Sequence, residues 1–436
     1  MISSSVAAED SKTCRNLHQE YLFPCLKPLY SEPLVLSSAK GVWVRDLDGK
    51  EHLDFFAGIL TTSVGHCHPA VLEAIGLQMG QLGHISSLYI NQNQIEFARR
   101  LAEISPGRRL KSCYFTNSGT EAVETAIMLA QMYTGRQEII ALRLSFSGRS
   151  TVACNMTGNM FWRPLPSSAA NIKHAMSPFP YRSPFSGSEE ELAERFANDI
   201  EEVIQTTTTG KPAAFFAETI QGVGGYIVPP RGYFQRAAEI IRKYGGLFIS
   251  DEVQTGFGRT GSRWFGIEHW DVEPDIMVMA KGIANGSPLG ATITRPEIAQ
   301  AWTAKTISTY GGNPVSMAAA RATLDVMQQE DTPRRSAERG KQLRDGLDAL
   351  ADRFDSIGEV RGMGLMQAIE LVEDRQTKQP SPGKAMDLIE ACKNEGLLVG
   401  LGGLNGNVIR IGPSMLITED EVSQGLNRLE RAFAKC

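Results

Sequence analysis

The 436-residue sequence has no long hydrophobic run, no block of basic residues and no Cys-x-x-Cys pair. No apolar stretch approaches the roughly 20 residues of a membrane span, so we expect no membrane partner. A formal net charge of −5 without a basic block gives no reason to expect nucleic acid as a partner. The seven cysteines are odd in number and scattered, which indicates free thiols in a reducing compartment.

Targeting and dinucleotide signals are lacking as well. Residues 1–10 are small and polar, with neither a charged region before an apolar core nor an Arg-rich amphipathic pattern. We therefore expect a cytoplasmic location. No Gly-x-Gly-x-x-Gly motif opens a helix after a strand, which disfavours a nicotinamide-dependent dehydrogenase.

One short segment, Gly65-His66-Cys67-His68-Pro69, concentrates residues that can ligate a metal. Neighbouring ligands without a distant partner cluster are weak support for a metal site. We predict a structural loop there and no metal.

The apolar periodicity predicts a mixed α/β chain. Residues 1–30 form an irregular arm, and residues 41–55 form a hairpin around an Asp-Gly turn. From about 110 to 295, strands and helices alternate, which indicates a mainly parallel sheet with crossover helices. Residues 154–187 are rich in proline without a clear period, as lids and binding loops are. Residues 330–436 form an α+β unit.

These patterns divide the chain into three segments. Residues 1–60 provide an arm and hairpin that belong to a small domain. Residues 61–325 form a large ligand-binding domain, and residues 326–436 complete the small domain.

Two buried strands deliver ionisable groups at their ends. An apolar run over residues 275–280 ends at Lys281, and another over residues 246–250 ends at Asp251. In open α/β sheets, ligands bind at the carboxyl ends of strands. A lysine beside an apolar strand end can lose its proton and become a nucleophile for a Schiff base. A lone lysine after a strand is more often a solvated turn residue. The residues at the other strand ends therefore decide between a solvated turn and a reactive lysine.

Two further strand ends supply such companions. Asn117-Ser118-Gly119-Thr120-Glu121 opens an amphipathic helix, where free amides and hydroxyls suit a phosphate; simple N-capping is the alternative. Phe146 follows the next strand and is suited either to stack on a flat ring or to fill the core.

A lysine, an acid, an aromatic ring and a phosphate cradle together suit pyridoxal 5′-phosphate (PLP). Four motifs are distinctive: Asn117-Ser118-Gly119-Thr120-Glu121-Ala122, Asp251-Glu252-Val253-Gln254-Thr255-Gly256, Ala280-Lys281-Gly282 and Thr309-Tyr310-Gly311-Gly312-Asn313-Pro314. With these motifs, the sequence from about Pro33 onward resembles the class III, or omega-type, aminotransferases. The resemblance implies PLP fold type I, with a seven-stranded, mainly parallel sheet in the large domain. Other motifs, Gln221-Gly222-Val223-Gly224-Gly225 and Arg410-Ile411-Gly412-Pro413-Ser414 among them, look most like the alanine–glyoxylate aminotransferase 2 branch.

The resemblance also implies residue roles. Lys281 forms the Schiff base with the cofactor and moves the substrate Cα proton, and Asp251 pairs with the pyridine nitrogen. The other implied cofactor contacts are Ser118, Gly119 and Thr120 at the phosphate, Phe146 and Val253 on the ring faces, Ser147 beside Phe146, Gln254 at the phenolic oxygen, Glu218 behind the site, and Thr309 at the neighbouring subunit's phosphate. A homodimer or tetramer with shared active sites is therefore expected.

The substrate residues are less uniform within the family. Arg410 matches an arginine that binds the substrate carboxylate. Val223 replaces a glutamate that 4-aminobutyrate-type members use to neutralise that arginine. Arg149 matches an arginine that binds a distal carboxylate, but an ion pair at the pocket mouth is the favoured alternative. Trp43 and Tyr89 are the remaining substrate candidates.

These features predict an aminotransferase that moves an amino group from alanine, a beta-amino acid or an omega-amino acid to a 2-oxo acid such as pyruvate or glyoxylate. The reaction would run through pyridoxamine phosphate. A racemase or a phospho-amine lyase on the same fold would keep Lys281 and Asp251, so the motifs leave those reactions open. A non-catalytic protein on this fold is disfavoured because the lysine, the aspartate and Gln254 are all intact.

Overall fold

The computed structural model describes residues 10–436, and residues 1–9, including most of the segment used for the targeting prediction, lie outside this range. The strands are β1 (Leu36–Lys40), β2 (Trp43–Asp46), β3 (Glu51–Asp54), β4 (Ser112–Thr116), β5 (Ile139–Leu142), β6 (Ile172–Ala175), β7 (Ala214–Glu218), β8 (Leu247–Asp251), β9 (Ile276–Met279), β10 (Gly290–Thr294), β11 (Ile357–Met363), β12 (Met366–Asp374), β13 (Gln379–Pro380), β14 (Leu397–Leu398), β15 (Gly400–Gly402) and β16 (Val408–Ile411).

The helices are α1 (Ser11–Tyr21), α2 (Ala57–Leu60), α3 (Pro69–Gln81), α4 (Gln92–Ile104), α5 (Gly119–Thr134), α6 (Thr151–Met156), α7 (Glu189–Thr207), α8 (Tyr233–Lys243), α9 (Pro296–Ala299), α10 (Pro314–Gln329), α11 (Thr332–Ala351), α12 (Pro382–Asn394) and α13 (Glu419–Phe433). Among the residues from 10 onward, no helix is long and apolar enough to cross a membrane.

The central sheet has seven strands in the order β4-β10-β9-β8-β7-β5-β6. Only β10 runs antiparallel to its neighbours, which confirms the predicted mainly parallel sheet. Every residue of β7, β8 and β9 is buried, because helices cover both faces of the sheet. Their carboxyl ends therefore lie side by side at one edge.

The N-terminal hairpin joins the C-terminal part of the chain. Strand β14 pairs in parallel with β3, so Leu397 lies opposite Leu53. A second small sheet, in the order β11-β12-β16-β15, contains the C-terminal strands. This pairing supports a small domain built from both chain ends, while the boundaries near residues 60 and 325 stay predictions.

Two sequence predictions about irregular segments were wrong. The arm over residues 1–30 contains α1, whose N-cap Asp10 accepts a hydrogen bond from the Thr13 amide. Ser11 is the only buried residue of this helix, and its few apolar residues, Cys14, Leu17 and Tyr21, are too sparse to make its period clear in the sequence. The 154–187 segment contains β6, which pairs with β5 at the sheet edge.

Gly256, Gly258 and Gly261 follow β8 with the spacing of a dinucleotide-binding motif. In the structure they lie in consecutive turns and not at a helix N-terminus. They therefore lack the geometry in which helix amides bind a pyrophosphate.

Candidate active site

The candidate active site lies where β7, β8 and β9 end. Glu218 and Asp251 are the last residues of β7 and β8, and they are register partners in neighbouring strands. Lys281 follows β9 by two residues. Three ionisable side chains thus meet at the carboxyl edge of the sheet, where open α/β folds bind ligands.

A cleft of about 920 Å³, measured with its open mouth, occupies this edge. It is lined by Thr61, Asn117, Ser118, Gly119, Thr120, Val123, Phe146, Ser147, Gly148, Glu218, Ile220, Asp251, Val253, Gln254, Ala280, Lys281, Gly286, Ser287, Pro288 and Leu289. Five separate segments that hold predicted cofactor residues therefore converge on one space.

The environment of Lys281 favours a neutral amine. The side chain is partly accessible through the cleft, but the packed protein around it lowers the pKa of the amine below its usual value. Asp251 and Glu218 oppose this shift without cancelling it. A deprotonated lysine is the form that attacks a carbonyl group.

Burial raises the pKa of both acidic groups at the site. The pKa of Glu218 is raised to about 8, first by desolvation and then by the charge of Asp251. The pKa of Asp251 is raised to about 7, mainly by desolvation. Glu218 Oε1 and Oε2 accept hydrogen bonds from the Phe146 and Gly222 amides at 2.9 and 2.8 Å. Among the residues from 10 onward, Asp251 Oδ1 accepts only the Val253 amide, at 2.9 Å. Asp251 therefore has the greater need of a cationic partner.

Glu218→Gln is expected to weaken the pH dependence of apoprotein stability. A carboxyl whose folded pKa is raised stabilises the fold fully below its unfolded value near 4.5, and this stability is lost as the pH rises to about 8. Glu218 and Asp251 share the effect, so removing one acid should reduce the fall in Tm between pH 5 and pH 8 by roughly half. Thermal melts of both apoproteins across that range measure it. Parallel Tm curves for the two proteins would contradict the assignment.

The start of α5 provides an anion cradle. The helix begins at Gly119, and the first amides of a helix have no acceptor within it. Ser118 is the N-cap and accepts the Glu121 amide at 3.2 Å, so the simple capping alternative is also realised. Thr120 lines the cleft beside these groups. Capping by Ser118 and anion binding by neighbouring amides are therefore compatible.

Two hydrophobic side chains and two unpartnered polar atoms define a slot for a flat, polar ring. Phe146 and Val253 both line the cleft. Gln254 Oε1 and Ser147 Oγ are buried, and neither has a hydrogen-bond partner within residues 10–436. A Cβ on Gly222 would overlap the Gln254 amide, so only glycine at 222 leaves room for that side chain.

These residues fit PLP. The cofactor requires an amine for its aldehyde, an acid for its ring nitrogen, a polar partner for its phenolic oxygen and a phosphate site. Lys281, Asp251, Gln254 and the start of α5 provide such groups around one cleft. The buried, unpartnered Gln254 Oε1 is what a site built for a polar ligand would contain.

The remaining predicted residues lie outside the cleft lining. Arg410 is buried on β16, and Arg149 is exposed at the end of the loop that follows β5. Thr309 and Tyr89 are exposed on the surface. Trp43 is not among the residues that line the cleft, and Arg428 of α13 lies over its ring at 5.1 Å. Its contact with the substrate stays a prediction.

Some lining residues were missed by sequence reasoning. Gly286-Ser287-Pro288 follows Lys281 as a turn, which its glycine and proline could have indicated. Thr61 comes from the segment after α2 and is more than 200 positions from Lys281 in the chain. Its place in the lining carries no local sequence signal.

Comparisons with known proteins identify the family of the chain. The family model "Aminotransferase class-III" matches residues 28–433. The chain is 41% identical over 418 residues to alanine–glyoxylate aminotransferase 2 homolog 2, mitochondrial, of Arabidopsis thaliana, covering 96% of this chain and 86% of the relative. It is 36% identical to a probable 4-aminobutyrate aminotransferase of Bacillus subtilis, covering 90% and 91%.

A solved structure shares both fold and cofactor chemistry. The PLP-bound amine transaminase of an uncultivated Pseudomonas species superposes with a TM-score of 0.87 at 33% identity, covering 92% of this chain and 95% of that one. The fold and the cleft thus define a PLP-dependent enzyme of fold type I. The chain belongs to the class III aminotransferases and transfers amino groups from amino or omega-amino acids to 2-oxo acids. The Arabidopsis relative is named as mitochondrial, and the cytoplasmic location expected for this chain stays a prediction.

Proposed function

We propose that this aminotransferase uses alanine or a beta-amino acid as donor and glyoxylate or pyruvate as acceptor. The names of the alanine–glyoxylate relatives support this substrate pair. The name of the Bacillus subtilis relative keeps omega-amino acids in the donor class.

The observation that carries the proposal is the environment of Arg410. Its side chain is buried, and within residues 10–436 it forms no ion pair with a carboxylate. Its Nε donates to the Leu401 carbonyl at 3.1 Å, and its guanidinium lies 5.0 Å from the Phe56 ring. A buried cation without an anionic partner is costly, and a substrate carboxylate would offset that cost.

Val223 supports a carboxylate substrate at Arg410. This valine is buried, and its carbonyl accepts the Gly403 amide at 2.9 Å, close to where Arg410 packs on Gly402. An acid at this position would pair with Arg410, whereas valine leaves the guanidinium free for the substrate.

The other side chains take roles around the bound cofactor. When bound, PLP supplies an aldehyde that captures an amine and a ring that withdraws electrons from the substrate carbon. Lys281 Nζ would serve as the base for the proton at the substrate Cα, and Asp251 would hold the proton of the ring nitrogen. Gln254 would donate its amide Nε2–H to the phenolic oxygen, and Phe146 and Val253 would pack against the ring. The amides at the start of α5, with Ser118 and Thr120, would hold the phosphate.

The proposal is tested by adding single donors to the PLP-loaded protein without an oxo acid, while the cofactor absorbance is followed. L-alanine, beta-alanine and 3-aminoisobutyrate are expected to convert the cofactor, and the fastest of them identifies the donor. If none reacts but 4-aminobutyrate does, the alanine–glyoxylate assignment is wrong. If a donor shifts the cofactor band without consuming it, racemisation replaces transamination.

Arg410→Gln should raise KM for alanine about 100-fold, because a charge-assisted bidentate contact is lost. Ethylamine, which has no carboxylate, should react at a similar rate with both proteins. Arg149→Gln is the matched control, since it removes the same charge from an exposed position at the mouth. An equal effect of both substitutions on alanine would contradict the role of Arg410.

We also propose that two chains share their active sites. A patch formed by Leu88, Tyr89, Ile90, Ile307 and Tyr310 is exposed, with Ile90 at 87%. Its two segments are joined by the His84 and Tyr310 rings at 5.3 Å. Contiguous exposed apolar side chains of this kind indicate a protein interface. Thr309 lies within the patch and away from the cleft of its own chain, as a residue that reaches a partner's phosphate would.

Ile90→Asp is expected to shift the protein from dimer to monomer and to weaken PLP binding by about tenfold, since each site would lose its contribution from the partner. Sedimentation velocity and cofactor titration measure the two effects. Met386→Asp, an exposed apolar residue on α12, is the control. A four-chain mass for the wild type would extend the assembly to a tetramer. A monomeric wild type would refute the proposal that two chains share their active sites.

A further inference from the structure

Residues 57–60, the short helical turn α2, adopt a backbone conformation that is rare outside glycine. Ala57, Gly58, Ile59 and Leu60 have φ values of 48°, 60°, 65° and 59°, so this turn is left-handed. Its backbone hydrogen bonds keep the four-residue spacing of a helix: the Thr61 amide donates to the Ala57 carbonyl at 2.8 Å. A left-handed residue with a Cβ is unfavourable, and consecutive ones persist only when the surroundings hold them.

The Asp54 carboxylate holds this turn at its start. Its Oδ1 accepts the amides of Phe56 and Ala57 at 2.9 and 2.8 Å. Its Oδ2 pairs with His66 Nε2 at 2.8 Å, and Asp54 is buried. His66 is fixed in turn, because its backbone exchanges hydrogen bonds with Gly41 at 2.7 and 3.0 Å. The His-Cys-His segment, which the sequence left without a function, therefore orients a buried acid.

Both ends of the turn lie against residues of the active site. Before it, the Phe56 ring packs on Gly400 and lies 5.0 Å from the Arg410 guanidinium. After it, Thr61 lines the cleft. A Cβ on Gly282, the neighbour of Lys281, would overlap Ser63 Oγ.

A second connection ties the end of this segment to the lysine turn. Asn285 accepts the Val64 amide at 2.9 Å and donates to the Gly65 carbonyl at 2.8 Å. Asn285 lies four residues after Lys281. If residues 57–60 changed from the left-handed to a right-handed conformation, groups that pack near both Arg410 and Lys281 would therefore move.

We propose that Asp54 and His66 are positioning residues for the transamination site. The Asp54 carboxylate, oriented by His66, holds residues 57–60 in the left-handed conformation. That turn fixes Phe56 beside Arg410 and Ser63 beside Gly282. The inference rests on the proposed role of Arg410 as the receptor of the substrate carboxylate.

The test compares His66→Ala with the double variant His66→Ala/Ile59→Gly. His66→Ala should lower the affinity of the PLP-loaded protein for propionate, a plain monocarboxylate, by about tenfold in calorimetric titration. Ile59 is exposed, and glycine at 59 adopts positive φ without a Cβ penalty, so the second substitution should restore the affinity. Ile59→Ala shortens the same side chain without this freedom and should not rescue.

Further outcomes separate the possible failures. His66→Gln, whose amide can still donate to Asp54, should keep most of the affinity. Ile59→Gly alone should raise Tm, because it relieves an unfavourable conformation; a fall in Tm would overturn the inference even if His66→Ala fails to fold. Rescue by alanine as good as by glycine, or unchanged affinity in His66→Ala, would also overturn it. A wild type that does not bind propionate refutes the role of Arg410 instead, while the Tm comparison still tests the turn.

Discussion

Lys281→Ala is expected to reduce turnover by at least about 10⁴-fold, because the covalent anchor of PLP and the base at the substrate Cα are lost together. PLP should still bind without a covalent bond, since the start of α5, Asp251 and Gln254 are unchanged. Burial also lowers the pKa of Lys281, which increases the fraction of neutral amine available as a nucleophile and a base.

Two measurements check the Lys281 prediction. Single-turnover kinetics with the best donor measure the loss, and borohydride treatment followed by mass analysis shows whether PLP remains attached. Lys211→Ala, in the loop before β7, is the control for loss of a lysine charge. A small amine added to Lys281→Ala should restore part of the rate by supplying a base. A near-wild-type rate without added amine would refute the proposed mechanism.

Asp251→Asn is expected to lower kcat by about 10³-fold. A buried carboxylate can hold the pyridine nitrogen of PLP in its protonated form, and only then does the ring withdraw electrons strongly. Asparagine fills the same space at the end of β8 and can still accept the Val253 amide, so the fold should survive. The loss would therefore come from the missing charge.

The control for Asp251 is Asp345→Asn, which removes an exposed carboxylate paired with Lys341 on α11. Pre-steady-state kinetics should locate the Asp251→Asn defect in proton removal, with a large isotope effect for Cα-deuterated alanine. The absorbance of bound PLP should also change, because the ring nitrogen loses its ionised partner. An unchanged kcat with altered KM alone would show that Asp251 only binds substrate.

Much of this architecture was readable from short-range sequence signals. The buried runs that became β8 and β9 end at Asp251 and two residues before Lys281, because apolar strands and polar strand ends have different compositions. The capping box at Ser188, which opens α7, is likewise a pattern of neighbouring residues. The cofactor followed from the residue types at these strand ends together with the family resemblance.

Where the signal was absent, prediction failed for identifiable reasons. Helix α1 is short and mostly polar, with Cys14, Leu17 and Tyr21 as its few apolar residues, so its period is weak in the sequence. Strand β6 lies at the sheet edge with half-buried inner positions, and its four residues do not alternate clearly. The substrate contact of Trp43 stays a prediction; β2, which carries it, pairs with β3, and Arg428 of α13 lies over its ring.

The sequence by itself determined the class of chemistry, because a lysine, an acid and a phosphate cradle at strand ends each carry their function in residue type and local context. Only the tertiary structure decided how these groups shift one another's pKa values. The raised pKa values of Glu218 and Asp251 and the lowered pKa of Lys281 arise from burial, which depends on every element packed around the cleft. The left-handed turn at residues 57–60 likewise depends on Asp54 and His66 being held by partners distant in the chain. Local sequence encodes the groups, whereas long-range packing sets their charge and position.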